Sequence, residues 1–214
     1  MWLLERPSPN AFVVVGPFTT FFCCGWSNHD IWRRWLSTPV IARSKAVFVG
    51  GRSGSGKSSV GAEIHVQLSA AGIQHCLIEG DNLDMAYPPP WEHGLAEQNL
   101  AAMWANYRAL GYRRMVYVNT ASVFRYVIDD LTAAMGDDPH VTAVLLTCGD
   151  ATARLRLALR EIGTALERHI ERSDLMARKL DNRAPAWVHR VATDDRPIAD
   201  IAAEIIRLAG WAPS

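Results

Sequence analysis

The chain has 214 residues, of which 49% are hydrophobic and 21% are charged, a composition typical of an ordinary globular domain. Its 22 Lys and Arg residues balance its 22 Asp and Glu residues, and the lack of a basic excess argues against general nucleic-acid binding. The four cysteines form no Cys-x-x-Cys pair, which argues against a zinc ribbon and favours reduced thiols in a cytoplasmic protein.

The first 44 residues differ in composition from the rest of the chain. They hold four of the eight tryptophans, Trp2, Trp26, Trp32 and Trp35. The apolar stretch at 11–26 is shorter than the about 20 residues that a membrane span needs, and its flanks lack a basic start and a cleavage site. We therefore expect no membrane association, an appended or non-native segment at 1–44, and translation from near Val40 of a self-sufficient domain at 45–214.

From residue 46 onward, short apolar runs alternate with stretches of helical periodicity. Strands are predicted at 46–49, 75–79, 114–119, 141–147 and 187–191. Helices are predicted at 60–71, 95–110, 122–135 and 198–208, and the stretch 151–180 is predicted to be mostly helical. This alternation predicts an α/β fold with a parallel sheet flanked by helices on both faces. Ligands bind at the carboxyl ends of the strands in such folds, so we expect 51–58, 79–81, 119–120 and 147–150 to share one edge of the sheet.

The first predicted strand ends in a glycine-rich loop. Residues 51–58 read Gly-Arg-Ser-Gly-Ser-Gly-Lys-Ser, which fits the phosphate-loop pattern G-x-x-x-x-G-K-[ST]. In this motif backbone N–H groups surround phosphate oxygens, Lys57 reaches the β- and γ-phosphates, and Ser58 offers its hydroxyl to Mg²⁺. The motif predicts a P-loop NTPase fold that binds ATP and Mg²⁺. The expected nucleotide-binding residues are Gly51, Arg52, Ser53, Gly54, Ser55, Gly56, Lys57, Ser58 and Ser59.

Other motifs narrow the class of P-loop protein. The chain lacks the Asn-Lys-x-Asp guanine motif of GTPases, and its Asp129-Asp130 pair lies in a helical pattern rather than at the end of an apolar strand. Asp81 follows the second strand and is expected to orient or deprotonate an acceptor hydroxyl and to hold Mg²⁺. Glu79 is the second candidate for this role. These features fit a small-molecule kinase.

An arginine-rich helical pattern follows the fourth strand. Arg156 and Arg160 lie four residues apart and therefore share a helix face. We expect both to act in catalysis, closing over the phosphates as a helical lid, with one of them stacking on the adenine. Arg168, Arg172 and Arg178 are interleaved with glutamates, which favours a solvent-exposed helix face without a functional role.

On these motifs the chain resembles the small P-loop kinases, a group that includes adenylyl-sulfate kinase, chloramphenicol phosphotransferase, gluconate kinase and shikimate kinase. The resemblance covers roughly residues 46–209. The sequence Glu-Gly-Asp-Asn at 79–82 looks like the Asp-Gly-Asp-Asn of adenylyl-sulfate kinases, and residues 154–163 are similar to the arginine-bearing lid of the group. The resemblance implies transfer of the γ-phosphoryl group of ATP to a hydroxyl of a small-molecule acceptor.

The departures from adenylyl-sulfate kinases concern the acceptor. An arginine pair of that family is replaced here by Ala101 and Ala102, and the region carries Tyr87, Trp91 and Trp104 instead. These aromatic residues either line the acceptor pocket or pack in the core. We therefore expect a less anionic acceptor with a hydrophobic or ring portion, such as a natural product, an antibiotic or a sugar-like alcohol. A nucleotide kinase would require more cations around the acceptor.

A second class of function stays open at this point. A nucleotide-binding ATPase would need the same phosphate loop, as would a resistance protein that sequesters a drug without phosphoryl transfer. An ATPase would release phosphate without an acceptor, and a sequestering protein would leave its ligand unmodified.

Overall fold

The computed structural model describes residues 43–160 and 166–212. Within these ranges five strands form one parallel sheet. They are β1 (Lys45–Gly51), β2 (Cys76–Glu79), β3 (Arg114–Val118), β4 (His140–Thr147) and β5 (His189–Ala192). Their order across the sheet is β2-β3-β1-β4-β5, so β1 lies at the centre. The tryptophan-rich segment 1–44 lies almost wholly outside the described residues. Its expected appended or non-native origin therefore stays a prediction.

Six helices connect or follow the strands in the described ranges. They are α1 (Lys57–Ala70), α2 (Leu95–Ala109), α3 (Arg125–Met135), α4 (Asp150–Ala158), α5 (Leu166–Arg183) and α6 (Ile198–Leu208). Two short 3₁₀ turns, Gly80–Asn82 and Trp91–His93, lie between β2 and α2. None of these helices is both long enough and apolar enough to cross a bilayer.

The sheet separates two hydrophobic layers because successive strand residues point to opposite faces. Phe48 of β1 joins one layer, which includes Leu100 of α2 and Leu131 of α3. Its neighbours Val47 and Val49 join the other layer, which is built mainly from α1 and α6. Helices thus cover both faces of a parallel sheet, and the predicted α/β fold is confirmed.

The stretch 151–180, predicted to be mostly helical, contains two separate helices, α4 and α5. α4 ends at Ala158, and the N–H of Arg160 bonds to the carbonyl of Leu157, three residues back rather than four. Such a tightened turn is a common way for a helix to end, and residue-type periodicity carries no signal of it. Both helices contact the phosphate loop, α4 through Ala153 and α5 through Ser173.

His75 lies buried at the start of β2 in contact with a second histidine. Its Nδ1 is 2.7 Å from the carbonyl oxygen of Ile73, so Nδ1–H donates there and Nε2 accepts from Nδ1 of His65 at 2.9 Å. Burial lowers the pKa of His75, and the nearby His65 and Arg114 lower it further. The hydrogen bonds and the lowered pKa both favour the neutral ring of His75 in the folded chain.

This arrangement predicts a pH-dependent loss of stability. Below the ordinary histidine pKa of about 6.5, His75 takes up a proton in the unfolded chain more readily than in the folded chain. The free energy of unfolding therefore decreases as the pH is lowered through this value. We expect the loss between pH 7.5 and pH 5.5 to be smaller in His75→Gln than in the unaltered protein. Urea denaturation at both pH values measures it, and equal losses in the two proteins would contradict this origin.

Candidate active site

The phosphate loop links β1 to α1 at the carboxyl edge of the sheet. Gly54 and Gly56 have φ angles of 85° and 90°, in the region where only glycine is unstrained. A Cβ on Gly54 would lie 2.7 Å from the carbonyl oxygen of Ala153, so this position also requires the absence of a side chain. The loop backbone is therefore shaped by its own glycines and by the close approach of α4.

A cavity of about 250 Å³ lies over this loop. It is lined by Ser53, Gly54, Gly56, Lys57, Ser58, Ser59, Asp81, Thr120, Arg160 and His169. The structure thus brings six of the nine predicted loop residues to one cavity together with Asp81 and Arg160. Gly51, Arg52 and Ser55 are buried and do not line this cavity, and the nucleotide-binding roles expected of them stay predictions.

Lys57 begins α1 and extends along the loop. Its Nζ donates a hydrogen bond to the carbonyl oxygen of Arg52 at 3.1 Å. Burial lowers the pKa of Lys57, while the carboxylates of Asp81 and Glu79 act in the opposite direction. The ammonium group is therefore poorly hydrated and faces acidic groups, and a polyphosphate in the cavity would supply the strong anionic partner that such a cation favours.

Asp81 is held in place by Asn119, which immediately follows β3. Nδ2 of Asn119 donates to Oδ1 of Asp81 at 2.7 Å, and Oδ1 of Asn119 accepts from the N–H of Ala121 at 2.9 Å. The bond from Ala121 fixes the orientation of the Asn119 side-chain amide. This orientation turns the N–H₂ group of Asn119 toward the Asp81 carboxylate. The sequence placed Asn119 at the correct edge of the sheet but assigned it no role. Its position after a strand was the available signal.

Ser58 and Glu79 form an oxygen-rich pair beside Lys57. The hydroxyl of Ser58 donates to Oε2 of Glu79 at 3.4 Å. Burial raises the pKa of Glu79, and the neighbouring Asp81 raises it further. Hydroxyl and carboxylate oxygens are the ligands that Mg²⁺ prefers, and a divalent cation would compensate the crowded carboxylates. The donor set therefore fits Mg²⁺, with Glu79 next to the predicted ligands Ser58 and Asp81.

The two arginines predicted to form the lid occupy different places. Arg156 lies against the back of the phosphate loop, where its Nη1 donates to the carbonyl of Gly54 at 3.2 Å and to Oγ1 of Thr193 at 3.1 Å. Its Nη2 donates to the carbonyl of Thr193 at 3.0 Å. These bonds hold Arg156 between the phosphate loop and Thr193, and its expected catalytic role over the phosphates stays a prediction.

Arg160, in contrast, is exposed at the end of α4 and lines the cavity over the loop. Its positive charge contributes to the lowered pKa of Lys57, after the larger effect of burial. Two cations therefore share one cavity from different elements, an arrangement that suits a polyphosphate ligand.

Arg52 is 3% exposed and joins the loop to α4 and α5. It forms ion pairs with Asp150 and Asp174, and its Nε donates to Oγ of Ser173 at 2.9 Å. Hydrogen bonds from Arg154, and then from Arg52, lower the pKa of Asp174. This side chain fastens the loop to two helices, and the nucleotide-binding role expected of Arg52 stays a prediction.

Replacing Arg52 by alanine should destabilise the fold. We expect a loss of about 3 kcal/mol, at the low end for removal of one partner of a buried ion pair, because Asp174 keeps its bond to Arg154. Arg154→Ala is the matched control, since Arg154 binds the same carboxylate at 2.6 Å but is 54% exposed, and it should cost clearly less stability than Arg52→Ala. Urea unfolding measures both, and equal losses would contradict the structural role of Arg52.

The predicted aromatic acceptor pocket is not assembled as expected. Trp104 of α2 is 1% exposed and packs in the hydrophobic layer, so core packing holds for this residue and contact with an acceptor does not. Tyr87 is 97% exposed on the proline-rich loop. The side chain of Trp91 lies outside the described residues. The sequence left both interpretations of Trp104 open because a single helix contains both buried and exposed faces, and its position in sequence does not reveal which one it occupies.

Helix α5 adds residues that the sequence assigned to solvent. Arg168, His169 and Arg172 line a second cavity, of about 430 Å³, together with Ser53 of the loop and Thr120 after β3. Both arginines were expected to lie on a solvent-exposed helix face without a functional role. Their spacing of four residues was the available signal, but the interleaved glutamates obscured it.

Comparisons with known proteins agree with this geometry. The family model for adenylylsulphate kinase matches residues 43–92, which include β1, the phosphate loop, α1 and β2. A comparison with curated protein sequences finds no match.

Several solved structures share the fold. The APS kinase of Mycobacterium tuberculosis, in complex with AMPPNP and APS, is 23% identical with a TM-score of 0.51 and covers 78% of this chain and 97% of its own. A gluconokinase from Sinorhizobium meliloti 1021 is 25% identical with a TM-score of 0.50, covering 78% and 94%. The tunicamycin resistance protein of Deinococcus radiodurans is 15% identical with a TM-score of 0.57, covering 79% and 98%. The chain is thus similar to adenylylsulphate kinases across the phosphate-loop region and shares its fold with several small P-loop kinases.

Proposed function

We propose that the protein transfers the γ-phosphoryl group of ATP to a hydroxyl group of a small molecule. The observation that carries this proposal is one cavity at the carboxyl edge of the sheet that gathers Lys57, Asp81 and Arg160 over a phosphate loop. Phosphoryl transfer requires cations around the phosphates and a carboxylate that faces the attacking hydroxyl, and this cavity holds both. Because ATP is its second substrate, we place the reaction in the cytoplasm, with no nucleic-acid or membrane partner.

The nucleotide side of the site rests on the loop. Its backbone N–H groups and the N-terminus of α1 face the β- and γ-phosphates, and Lys57 neutralises their charge. Ser58, Asp81 and Glu79 would hold Mg²⁺, which arrives with ATP and neutralises charge on the phosphate oxygens. Arg160 reaches the same cavity from α4 and stabilises the charge that develops on the equatorial oxygens during transfer.

The acceptor side rests on Asp81. Because Oδ1 accepts the hydrogen bond from Asn119, we assign Oδ2 to the acceptor hydroxyl. A carboxylate held in this way orients the hydroxyl toward the γ-phosphorus and takes its proton as the new P–O bond forms and the bond to the β-phosphate oxygen breaks. Asn119 is a positioning residue in this scheme.

An acceptor panel tests the proposal. The purified protein is incubated with ATP, Mg²⁺ and sugars, sugar acids, hydroxylated antibiotics, nucleosides or adenylyl sulfate, and ADP release is followed for each compound. We expect at least one compound to accelerate ADP release and to yield a phosphorylated product. ADP release that is independent of every acceptor would favour an ATPase, and tight binding of a compound that stays unmodified would favour sequestration.

A further inference from the structure

We propose that the cavity between the phosphate loop and α5 binds an anionic group of the acceptor, through Arg168 and Arg172. This inference rests on the proposed phosphotransfer and specifies the chemistry of its acceptor. The group is a carboxylate or a phosphate or sulfate ester, carried on the same molecule as the hydroxyl that receives the phosphoryl group.

The position of the cavity supports this assignment. The cavity beneath α5 and the cavity over the loop share Ser53, Thr120 and His169 as lining residues, so the two spaces adjoin. Lys57 and Asp81 line only the loop cavity, whereas Arg168 and Arg172 line only the other. A molecule in the second cavity can therefore present a hydroxyl to Asp81 and the γ-phosphate while its remainder lies against α5.

Hydrogen bonds fasten α5 to the loop. The hydroxyl of Ser173 donates to the carbonyl of Ser53 at 2.8 Å and accepts from Nε of Arg52 at 2.9 Å. The side chain of Ser173 itself is 2% exposed. The helix turn that carries Arg172 is thus fixed against the loop before any ligand binds, which lowers the entropy lost when an acceptor is held there.

The charge of the cavity selects an anion. Its described lining contains two arginines and a histidine but no carboxylate. Within residues 43–160 and 166–212, Arg168 and Arg172 form no ion pair, whereas Arg52, Arg154 and Arg190 each do. Two guanidinium groups spaced by one helix turn repel each other, and an anion bound between them relieves this repulsion. Guanidinium groups bind carboxylate and phosphate oxygens through paired hydrogen bonds.

This placement revises the expectation of a less anionic acceptor. That expectation was based on Ala101 and Ala102, which occupy the positions of an arginine pair in adenylyl-sulfate kinases. In this chain the positive charge near the acceptor cavity comes from Arg168 and Arg172 of α5. The helix α2 carries Ala101 and Ala102 in place of the arginine pair. An anionic acceptor is thereby compatible with the loss of positive charge from α2.

Sulfate binding to the nucleotide-loaded protein tests the assignment directly. With saturating AMPPNP and Mg²⁺ occupying the phosphate loop, sodium sulfate is titrated against sodium chloride of equal ionic strength, and Tm is measured. We expect sulfate to raise Tm of the unaltered protein and of Arg178→Gln/Arg183→Gln, which removes two exposed arginines of the same helix outside this cavity. We expect no sulfate-specific rise in Arg168→Gln/Arg172→Gln. A rise that persists in that variant, or none in the unaltered protein, would overturn the proposal.

Nucleotide affinity and kinetics separate this inference from the proposed function. Arg168→Gln/Arg172→Gln should bind AMPPNP normally but raise KM for anionic acceptors by about 10- to 100-fold, the effect of losing charge-assisted hydrogen bonds. Weakened AMPPNP binding in this variant would assign the arginines to the nucleotide and refute the inference. Turnover of neutral alcohols alone, unchanged in the variant, would also refute it while leaving phosphotransfer intact. Sulfate binding without any phosphorylated product would refute phosphotransfer but not the anion site.

Discussion

Lys57→Ala should abolish phosphoryl transfer and strongly weaken nucleotide binding. We expect kcat/KM to fall by at least about 10³-fold, on the order of the loss of one charged contact to the transition state. The reason is that the Lys57 ammonium is held at the floor of the cavity by the carbonyl of Arg52, in surroundings dry enough to lower its pKa. Isothermal titration with AMPPNP and product formation measure the two losses.

The same variant should remain folded. A lowered lysine pKa means that keeping Lys57 charged opposes folding at neutral pH, so its removal should not reduce the free energy of unfolding. Lys179→Ala, an exposed lysine on α5, is the control and should retain full activity. Substantial AMPPNP affinity and turnover in a folded Lys57→Ala protein would contradict the assignment of the loop.

Asp81→Asn should depress turnover but largely spare nucleotide binding, because Ser58, Glu79 and the new amide oxygen can still hold Mg²⁺. An asparagine can still accept the hydrogen bond from Asn119, so the geometry of this edge is preserved while the negative charge and the proton acceptor are lost. We expect kcat to fall by about 10²- to 10⁴-fold, the usual contribution of general acid–base catalysis. Steady-state kinetics with the identified acceptor measure kcat, and titration with AMPPNP measures binding.

Asp84→Asn makes the matching control, because it applies the same chemical change three residues further along the chain, outside the lining of the loop cavity. It should leave kcat within about twofold of the unaltered protein, as expected of a surface substitution away from the chemistry. Unchanged turnover in Asp81→Asn would remove Asp81 from the mechanism, and equal losses in both variants would show a general effect of charge in this region.

The parts of the site that could be predicted from sequence are those fixed by local geometry. The phosphate loop is contiguous, and its glycines at 54 and 56 impose their backbone conformation wherever the motif lies between a strand and a helix. Asp81 follows β2 directly, and the carboxyl ends of parallel strands meet at one edge of the sheet. Because Asn119 follows β3, the same rule about the carboxyl ends of parallel strands predicts it at this edge of the sheet.

The rest depends on contacts between distant helices. Arg52 lies within the loop motif, but its direction is set by Asp150 of α4 and Asp174 of α5, about a hundred residues away. The position of Arg156 depends in the same way on Thr193, which follows β5. Hydrophobic periodicity locates a helix and its apolar face but does not specify which loop the polar face contacts.

The arginines of α5 illustrate the same limit. Arg168, Arg172 and Met176 follow one another at four-residue intervals and line one cavity, while Glu167 and Glu171 are exposed residues outside that lining. In the linear sequence these charges alternate and resemble a solvated surface. Only the packing of Ser173 against the loop reveals which face is turned toward the active site.

The most direct measurement is the stoichiometry of the reaction in the presence of an acceptor. Mass spectrometry quantifies the phosphorylated acceptor and ADP formed from ATP and Mg²⁺, with inorganic phosphate measured in parallel. We expect one phosphorylated acceptor for each ADP, and neither in Lys57→Ala. ADP accompanied by an equal amount of inorganic phosphate, with no phosphorylated compound across the panel, would contradict the assignment of this site to phosphoryl transfer.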